Sequence, residues 1–256
     1  ITELIGNPHF LDGKIMVNCI YEIDKSMKEH LNDAIYRQSE LKEYIEMWCH
    51  EVKTPVATSQ MIIENNLNPV NESIKEELIK IDNYVEQVLF YARSENVEKD
   101  YLIKDVKLSE LVNSVIKRNK KDLINKHVKI ELENLEIDVA SDKKWLEFIL
   151  NQIINNAIKY VDETPIIKLF AKQYKDRVEL MIKDNGIGIL ENELNRVFDK
   201  GFTGTTGRTK QKSTGIGLYL CKKLCYRLNH EIKIDSNSHG TVVTLVFPYS
   251  SHITLQ

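Results

Sequence analysis

The sequence predicts an α+β chain in two parts: a dimeric antiparallel helical hairpin, which makes a four-helix bundle as the dimer, followed by an α/β sandwich. Three observations predict it. Apolar residues recur in steps of three and four between residues 20 and 92. After residue 105 the pattern changes to strand alternation interleaved with helical stretches. A glycine-rich region, 186–217, then interrupts that second part. The expected boundaries are a linker or extraneous remnant over 1–19, the hairpin over 20–96, a connector over 97–105, the sandwich over 106–250 and a tail over 251–256.

The first helix carries Ile23, Met27, Leu31 and Ala34, then Leu41, Ile45, Trp48 and Val52, a coiled-coil-like stripe. "NNLNPVN" (65–71) reads as a turn, and a second stripe follows through Ile74, Leu78, Ile81, Val85, Val88 and Ala92. A hairpin with one wide apolar face needs a partner, which points to a homodimer through these helices. His50 lies off the stripe, about 200° on from Trp48 around the helix, and so faces solvent. Glu51 is beside it, Thr54 lies one turn on along the same face, and Pro55 sits inside the helix, where it is expected to bend the chain. For a lone exposed histidine a solvated polar face is the ordinary explanation; the helix-interior proline, which costs about 3 kcal/mol, brings a site level with it.

In the second part, "LSELVNSVIKRNKKDLIN" (108–125) has helical spacing with Ser109 as its expected N-cap. "HVKIELE" (127–133) alternates as a strand does, and "VAS" (139–141) is a short one. Ser141 and Asp142 are expected to cap a long helix through "KKWLEFILNQIINNAIKYV", and residues 165–185 make two strands around a Tyr-Lys-Asp-Arg turn. A helix starting near Gly217 and two closing strands, "EIKIDSN" and "GTVVTLVFP", complete the sandwich.

Composition narrows the class. Lys+Arg 35 against Asp+Glu 38 gives a net charge of −3, too balanced for a nucleic-acid partner. The four cysteines, Cys19, Cys49, Cys221 and Cys225, form no C-x-x-C pair, which argues against zinc and for a reducing compartment. No apolar run approaches the roughly 20 residues that span a bilayer. The chain starts at Ile1 and is expected to be a fragment of a longer protein.

Three stretches carry chemistry. In "NQIINNAIKY" (151–160), Gln152, Asn156, Lys159 and Tyr160 share a helical face: an amide oxygen for a hard cation, a point charge for phosphate, a ring with a hydroxyl. In "DNGIGI" (184–189), Asp184 ends a buried strand, where an unpaired carboxylate is costly, and glycines follow it. "GFTGTTGRTKQKSTGIGLYL" (201–220) joins glycines, hydroxyls and basic residues to a helix N-terminus, a setting that suits a polyphosphate. Taken singly, a polar helix surface, an ordinary turn and a surface loop explain them equally well. Neither a Walker nor a Rossmann pattern is present.

Taken in order, "HEVKTP", "NQIINNAIKY", "DNGIGI", "VFDKGFTG" and "STGIGL" resemble the H, N, G1, F and G2 boxes of a bacterial two-component sensor histidine kinase, over roughly residues 35–250. The second part then resembles the GHKL, or Bergerat, ATPase fold. "WCHEVKTP" and "FILNQIINNAIKY" are similar to the intramembrane-sensing kinases that respond to antimicrobial peptides alongside an ABC transporter. The resemblance implies ATP and Mg²⁺ as cofactors, a homodimer, a cognate response regulator, an ABC transporter as a further partner, and the cytoplasmic portion of a cell-membrane protein.

It also implies roles. His50 is the phosphoacceptor, Glu51 holds or takes its proton, and Thr54 orients water when the regulator is dephosphorylated. Asn156 holds the metal, with Lys159 and Tyr160 alongside. Asp184 accepts a hydrogen bond from the adenine amino group, and Gly186 and Gly188 make room for the base. Residues 190–214 form a lid that Phe198 packs and that ends on the amides of Gly215 and Gly217. Ile189, Thr214, Leu218 and Thr241 complete the implied nucleotide set. Gln152 stands where many members have Asn, which puts direct metal contact there in doubt, and Ser213 replaces a frequent glycine. A silent nucleotide-binding adaptor and a chaperone- or topoisomerase-type ATPase are the alternatives. The intact His50, Glu51, Asn156 and Asp184 oppose the first, and the histidine-bearing hairpin has no place in the second.

Overall fold

The computed structural model describes residues 10–65, 68–95, 101–161, 163–204 and 214–249. The expected turn at 65–71 and lid at 190–214 are therefore described only in part, and the tail at 251–256 lies outside. The chain divides into two compact units, Ile1–Asn96 and Val97–Gln256.

The first unit is a helical hairpin. α1 (Leu11–Glu64) begins well before residue 20 and runs through Pro55 without interruption. α2 (Pro69–Glu95) starts under a side-chain cap, with the Asn71 amide donating to Asn68 Oδ1 at 2.8 Å. Antiparallel alignment is fixed at both ends, by Arg93 on Glu46 (3.0 Å) and Lys75 on Glu64 (2.6 Å). Between these pairs Cys49, Val85 and Leu89 form the core, with Ile45 and Val52 packed against it. Only one row of each apolar stripe is closed in this way. On α2, Val85 and Ala92 are 4% and 5% exposed, whereas Ile74, Ile81 and Val88 are 46%, 42% and 39% exposed. On α1, Cys49, Val56 and Ile63 are buried and Leu41, Trp48 and Ile62 stand open.

The second unit is a helix-on-sheet sandwich. A five-stranded mixed sheet has the order β2-β4-β5-β7-β6, with β2 (Lys129–Glu133) parallel to β4 (Ile166–Gln173). β5 (Arg177–Asp184), β7 (Gly240–Pro248) and β6 (Glu231–Asn237) follow antiparallel. A small antiparallel pair, β1 (Lys104–Lys107) with β3 (Asp138–Ser141), stands apart. The covered face is a period-two pattern. Ile167, Leu169 and Ala171 on β4 lie beside Val178, Leu180 and Ile182 on β5 and Val243, Leu245 and Phe247 on β7, all 7% exposed or less. The helices α3 (Leu108–Arg118), α4 (Lys120–Asn125), α5 (Lys143–Lys159), α6 (Glu191–Leu194) and α7 (Gly217–Arg227) complete the unit, and α5 packs against α3, α7 and β5.

Four local expectations change. β1 begins at Lys104, inside the stretch that reads as a charged connector to residue 105, and only Val106 of its four side chains is buried. Residues 108–125 form two helices rather than one. They break at Asn119, whose side-chain amide donates to Val115 O and to Asn151 Oδ1. Ser109 is not an N-cap, because α3 already begins at Leu108; its hydroxyl bonds Glu136 instead. At α5, Asp142 alone is the cap, through the Trp145 amide, while the Ser141 hydroxyl pairs with His230 Nε2 at 2.9 Å.

Candidate functional site

The expected site residues fall into two groups, one in each unit. His50, Glu51 and Thr54 lie on α1, with His50 and Thr54 exposed. Thr54 Oγ1 donates to the His50 carbonyl at 3.2 Å, and Thr58 Oγ1 donates to the Thr54 carbonyl at 3.0 Å. These bonds from each hydroxyl to the carbonyl one turn back flank Pro55, which has no N–H for the Glu51 carbonyl. The Thr54 hydroxyl hydrogen is thus spent on the backbone of the histidine itself.

The second group surrounds the end of β5. The covered row Val178, Leu180, Ile182 continues, at the same period, to Asp184, so a carboxylate takes the next place on an apolar face. The amides of Gly186 and Thr241 donate to its Oδ1 at 2.9 and 3.2 Å. Both donors converge on one oxygen, which leaves Oδ2 as an acceptor. Burial pushes the carboxyl above its ordinary range, and the two amide bonds oppose that rise.

The glycines nearby serve backbone approach. A Cβ on Gly186 would lie 2.3 Å from the Tyr160 carbonyl, and one on Gly188, at φ +69°, 1.8 Å from the Asn237 carbonyl. Gly186 brings the β5 loop onto the end of α5, where the Ile187 amide donates to that same Tyr160 oxygen at 3.2 Å. At both positions contact with neighbouring main chain is by itself enough to require glycine. Ser236, which the sequence reading passed over, is the hub on the other side. Its hydroxyl takes the Ile189 amide at 2.9 Å, donates to the Gly240 carbonyl and pairs with Thr241 Oγ1. Ser236 faces Thr241 across the β6–β7 ladder, so hairpin register is the signal that would have found it. Asn185 was also missed. Its amide clamps the 164–166 segment through Ile166 N and Thr164 O.

α5 supplies the third wall. Gln152 is 8% exposed, and a Cβ on Gly217 would come within 2.9 Å of its Oε1, so its amide lies at the start of α7. Asn156 is half-buried in the last turn, and its side chain makes no hydrogen bond to another described residue. Lys159 lies 5.3 Å from the Tyr160 ring centroid. Burial, and then the nearby Lys126, push the Lys159 ammonium below its ordinary value. The Gly201 amide donates to the Gly215 carbonyl at 3.0 Å, and Gly215 has φ +65°. Phe198 is half-buried under the Lys222 ammonium, 5.3 Å from the ring centroid. Thr214 is exposed, Leu218 half-buried in the first turn of α7, and lid residues 205–213 lie outside the described residues.

Among the described residues no cluster of acidic, histidine or cysteine side chains could enclose a metal ion. A single half-buried amide, Asn156, does suit Mg²⁺, which keeps most of its waters and takes its other ligands from substrate phosphates.

Residues 141–251 match the family described as histidine kinase-, DNA gyrase B-, and HSP90-like ATPase. The sensor histidine kinase YxdK of Bacillus subtilis is 38% identical over 207 residues, which cover 80% of this chain and 64% of that protein. The sensor protein BceS of the same organism is 35% identical over 227 residues, 86% of this chain and 67% of its own length. The solved structure of the Acinetobacter baumannii histidine kinase AdeS covers 79% of this chain and 98% of its own at a TM-score of 0.57, and at 21% identity it shows a shared fold. The chain thus spans about two thirds of the length of its curated relatives, and it belongs to the sensor histidine kinase family.

Proposed function

We propose that the chain is the kinase core of a homodimeric membrane sensor that phosphorylates His50 from Mg·ATP, passes the phosphoryl group to an aspartate of a response regulator, and also dephosphorylates that regulator. The observation that carries the reading is Asp184: a carboxylate at the end of an apolar row, one oxygen held by two amides, the other left to accept from a planar amino donor. An adenine amino group fits that demand and offsets the burial of the charge.

The remaining residues divide the work. Gly186 and Gly188 fix the main chain around the base, and Ser236 and Thr241 hold Ile189 and Asp184 in place. Lys159 and Tyr160 meet the phosphates, and α7 turns its amide-bearing N-terminus, Gly217, toward the site beside Gln152. Asn156 would hold Mg²⁺, which supplies charge neutralisation to the phosphates. An imidazole nitrogen of His50 attacks the γ-phosphorus, the bond to the β-phosphate oxygen breaks, ADP leaves, and the imidazole proton passes to Glu51. Positioning and neutralisation are most of what phosphoryl transfer requires.

Dimerisation is supported by the open rows Ile74, Ile81, Val88 and Leu41, Trp48, Ile62, since exposed apolar residues at heptad spacing are what a second hairpin covers. No helix among the described residues is long and apolar enough to cross a membrane, and a membrane setting is inferred from the relatives alone. The narrower reading of a peptide-responsive sensor, with an ABC transporter as a further partner, rests on the wording of "WCHEVKTP" and "FILNQIINNAIKY".

The test is incubation with radiolabelled ATP and Mg²⁺, scored for acid-labile, base-stable phosphate on the protein. His50→Gln should abolish the label while leaving ATP affinity by calorimetry near wild type, because His50 and the nucleotide residues occupy separate units. Turnover of ATP without label would sink the kinase reading in favour of a plain ATPase.

A further inference from the structure

The groups assigned to the nucleotide phosphates stand at an electrostatically adverse place. Asn156 and Lys159 lie in the last turn of α5, and Tyr160 is its C-cap. A helix ends in carbonyl oxygens that carry about −0.5 of a charge, which opposes a polyphosphate as strongly as an N-terminus favours one. Two of these carbonyls are occupied. Tyr160 O accepts from the Ile187 amide, and Ile158 O accepts from Lys126 Nζ at 2.7 Å.

Lys126 comes from a different helix. It is the half-buried C-cap of α4, on a strip of chain that runs alongside α5 in the same direction. Three ties fix that register: Ser114 on Glu147, Asn119 on Asn151, and Lys126 on Ile158. The ammonium is therefore built into the end of α5 rather than laid over it. Its field also reaches Lys159, where it adds to burial in disfavouring the charged form. Two cations are gathered at the pole of the helix that is itself negative. For helix stability alone one would suffice, because the Lys159 ammonium already complements the last turn.

We propose that Lys126, through its bond to the Ile158 carbonyl, cancels the negative pole of α5 beside Asn156 and Lys159 and so positions that helix end to receive a polyphosphate. The proposal rests on the nucleotide reading above. It predicts a selective effect that grows with the charge of the ligand, which a purely structural cap would not produce. Lys126 is a positioning residue here: it acts through the helix end, and α5 carries the groups that meet the phosphates.

The experiment uses the 256-residue chain and three ligands, Mg·ATP, Mg·ADP and adenosine, the first two titrated by calorimetry and the last by NMR. Lys126→Gln keeps an N–H donor for Ile158 O and removes the charge. It should weaken Mg·ATP about three- to ten-fold, the range expected for one charge at a helix end, Mg·ADP less, and adenosine not at all. Its Mg·ATP affinity should also depend less on added salt than that of the wild type. Lys126→Arg should restore Mg·ATP to within about two-fold, which excludes misfolding as the cause. The inference falls if Lys126→Gln binds Mg·ATP as the wild type does, or if all three ligands weaken alike. Should the wild-type chain bind none of them, the nucleotide reading itself falls and takes this one with it.

Discussion

Along α2, Val85 and Ala92 are buried, while Ile81 and Val88 between and beside them stand 42% and 39% exposed. Along β5 the inward row Val178, Leu180, Ile182 is covered throughout, each at 1% or less. The second unit closes its own core; the hairpin closes half of one. A sheet with helices over its face has a place for every inward side chain, whereas two helices can bury only the seam between them. The difference teaches where completeness lies: the sandwich is a finished object, and the hairpin leaves an apolar row for a second copy to cover. Trp48 on the hairpin and Trp145 in the second unit are the two tryptophans of the chain, so each unit can be followed separately.

The largest effect should come from cutting the finished core. Leu245→Ala, at a fully buried position on β7, should cost about 2–5 kcal/mol. Urea unfolding followed by Trp145 in a Trp48→Phe background measures it. Loss of hairpin helicity at the same urea concentration would mean that the two units unfold as one, and the contrast would fail.

Next is the open row. Ile81→Glu puts a charge where a partner helix should pack, at a cost of about 3 kcal/mol or more, or a hundred-fold and above in dimer affinity. Sedimentation equilibrium reads it, and Trp145 unfolding should be unmoved. A dimer of undiminished affinity would show that the exposed row is not the interface.

A third test concerns His230, which belongs only to the finished unit. Its ring packs edge-on against Phe247, Nε2 meets Ser141 Oγ, and Nδ1 is buried without a partner among the described residues. Burial pushes its pKa down to about 4 from an ordinary 6.5. Between those values the unfolded chain binds a proton that the folded one refuses. Stability is therefore whole above pH 6.5 and falls as the pH drops toward 4, by at most about 3 kcal/mol. His230→Gln should flatten that slope in Trp145-monitored unfolding between pH 4 and 7. An unchanged slope would assign the acid sensitivity to other groups.

Much of this was legible in the sequence, for identifiable reasons. Period-two alternation carried Asp184 to the end of a covered row, and Asp142 announced itself as a cap before a long apolar helix. The heptad on α2 was equally plain, but spacing alone cannot say which of its two rows is closed within the chain and which is left for a partner. β1 was hidden because one buried valine among charged residues carries no period. The break at Asn119 depends on Asn151, 32 residues away, and Ser236 matters only once β6 and β7 are in register. The main-chain contacts of the two glycines could not be read from the sequence, because the carbonyls they approach belong to Tyr160 and Asn237, which lie far from them in the chain.

The smallest effect sharpens the comparison beside His50, the proposed phosphoacceptor. Thr54 Oγ1 bonds the His50 carbonyl on an exposed face. Thr54→Ala should change hairpin stability by no more than about 0.5 kcal/mol and keep autophosphorylation within a few-fold. Dephosphorylation of the purified regulator should fall about ten-fold, the scale of one lost positioning group. An equal fall in both activities would make the hydroxyl a backbone tie around Pro55 and nothing more.

Asp142 divides its two oxygens. Oδ1 takes the Trp145 amide and so begins α5; Oδ2 takes the Leu102 amide at 2.8 Å, while the Tyr101 ring sits edge-on to Trp145. The strand of chain that enters this unit is thereby riveted to the head of a 17-residue helix whose tail bears Asn156, Lys159 and Tyr160. In mechanical terms α5 is a push-rod about 25 Å long. The entry of the chain and the residues at the far end of α5 are thereby tied to the two ends of a single helix.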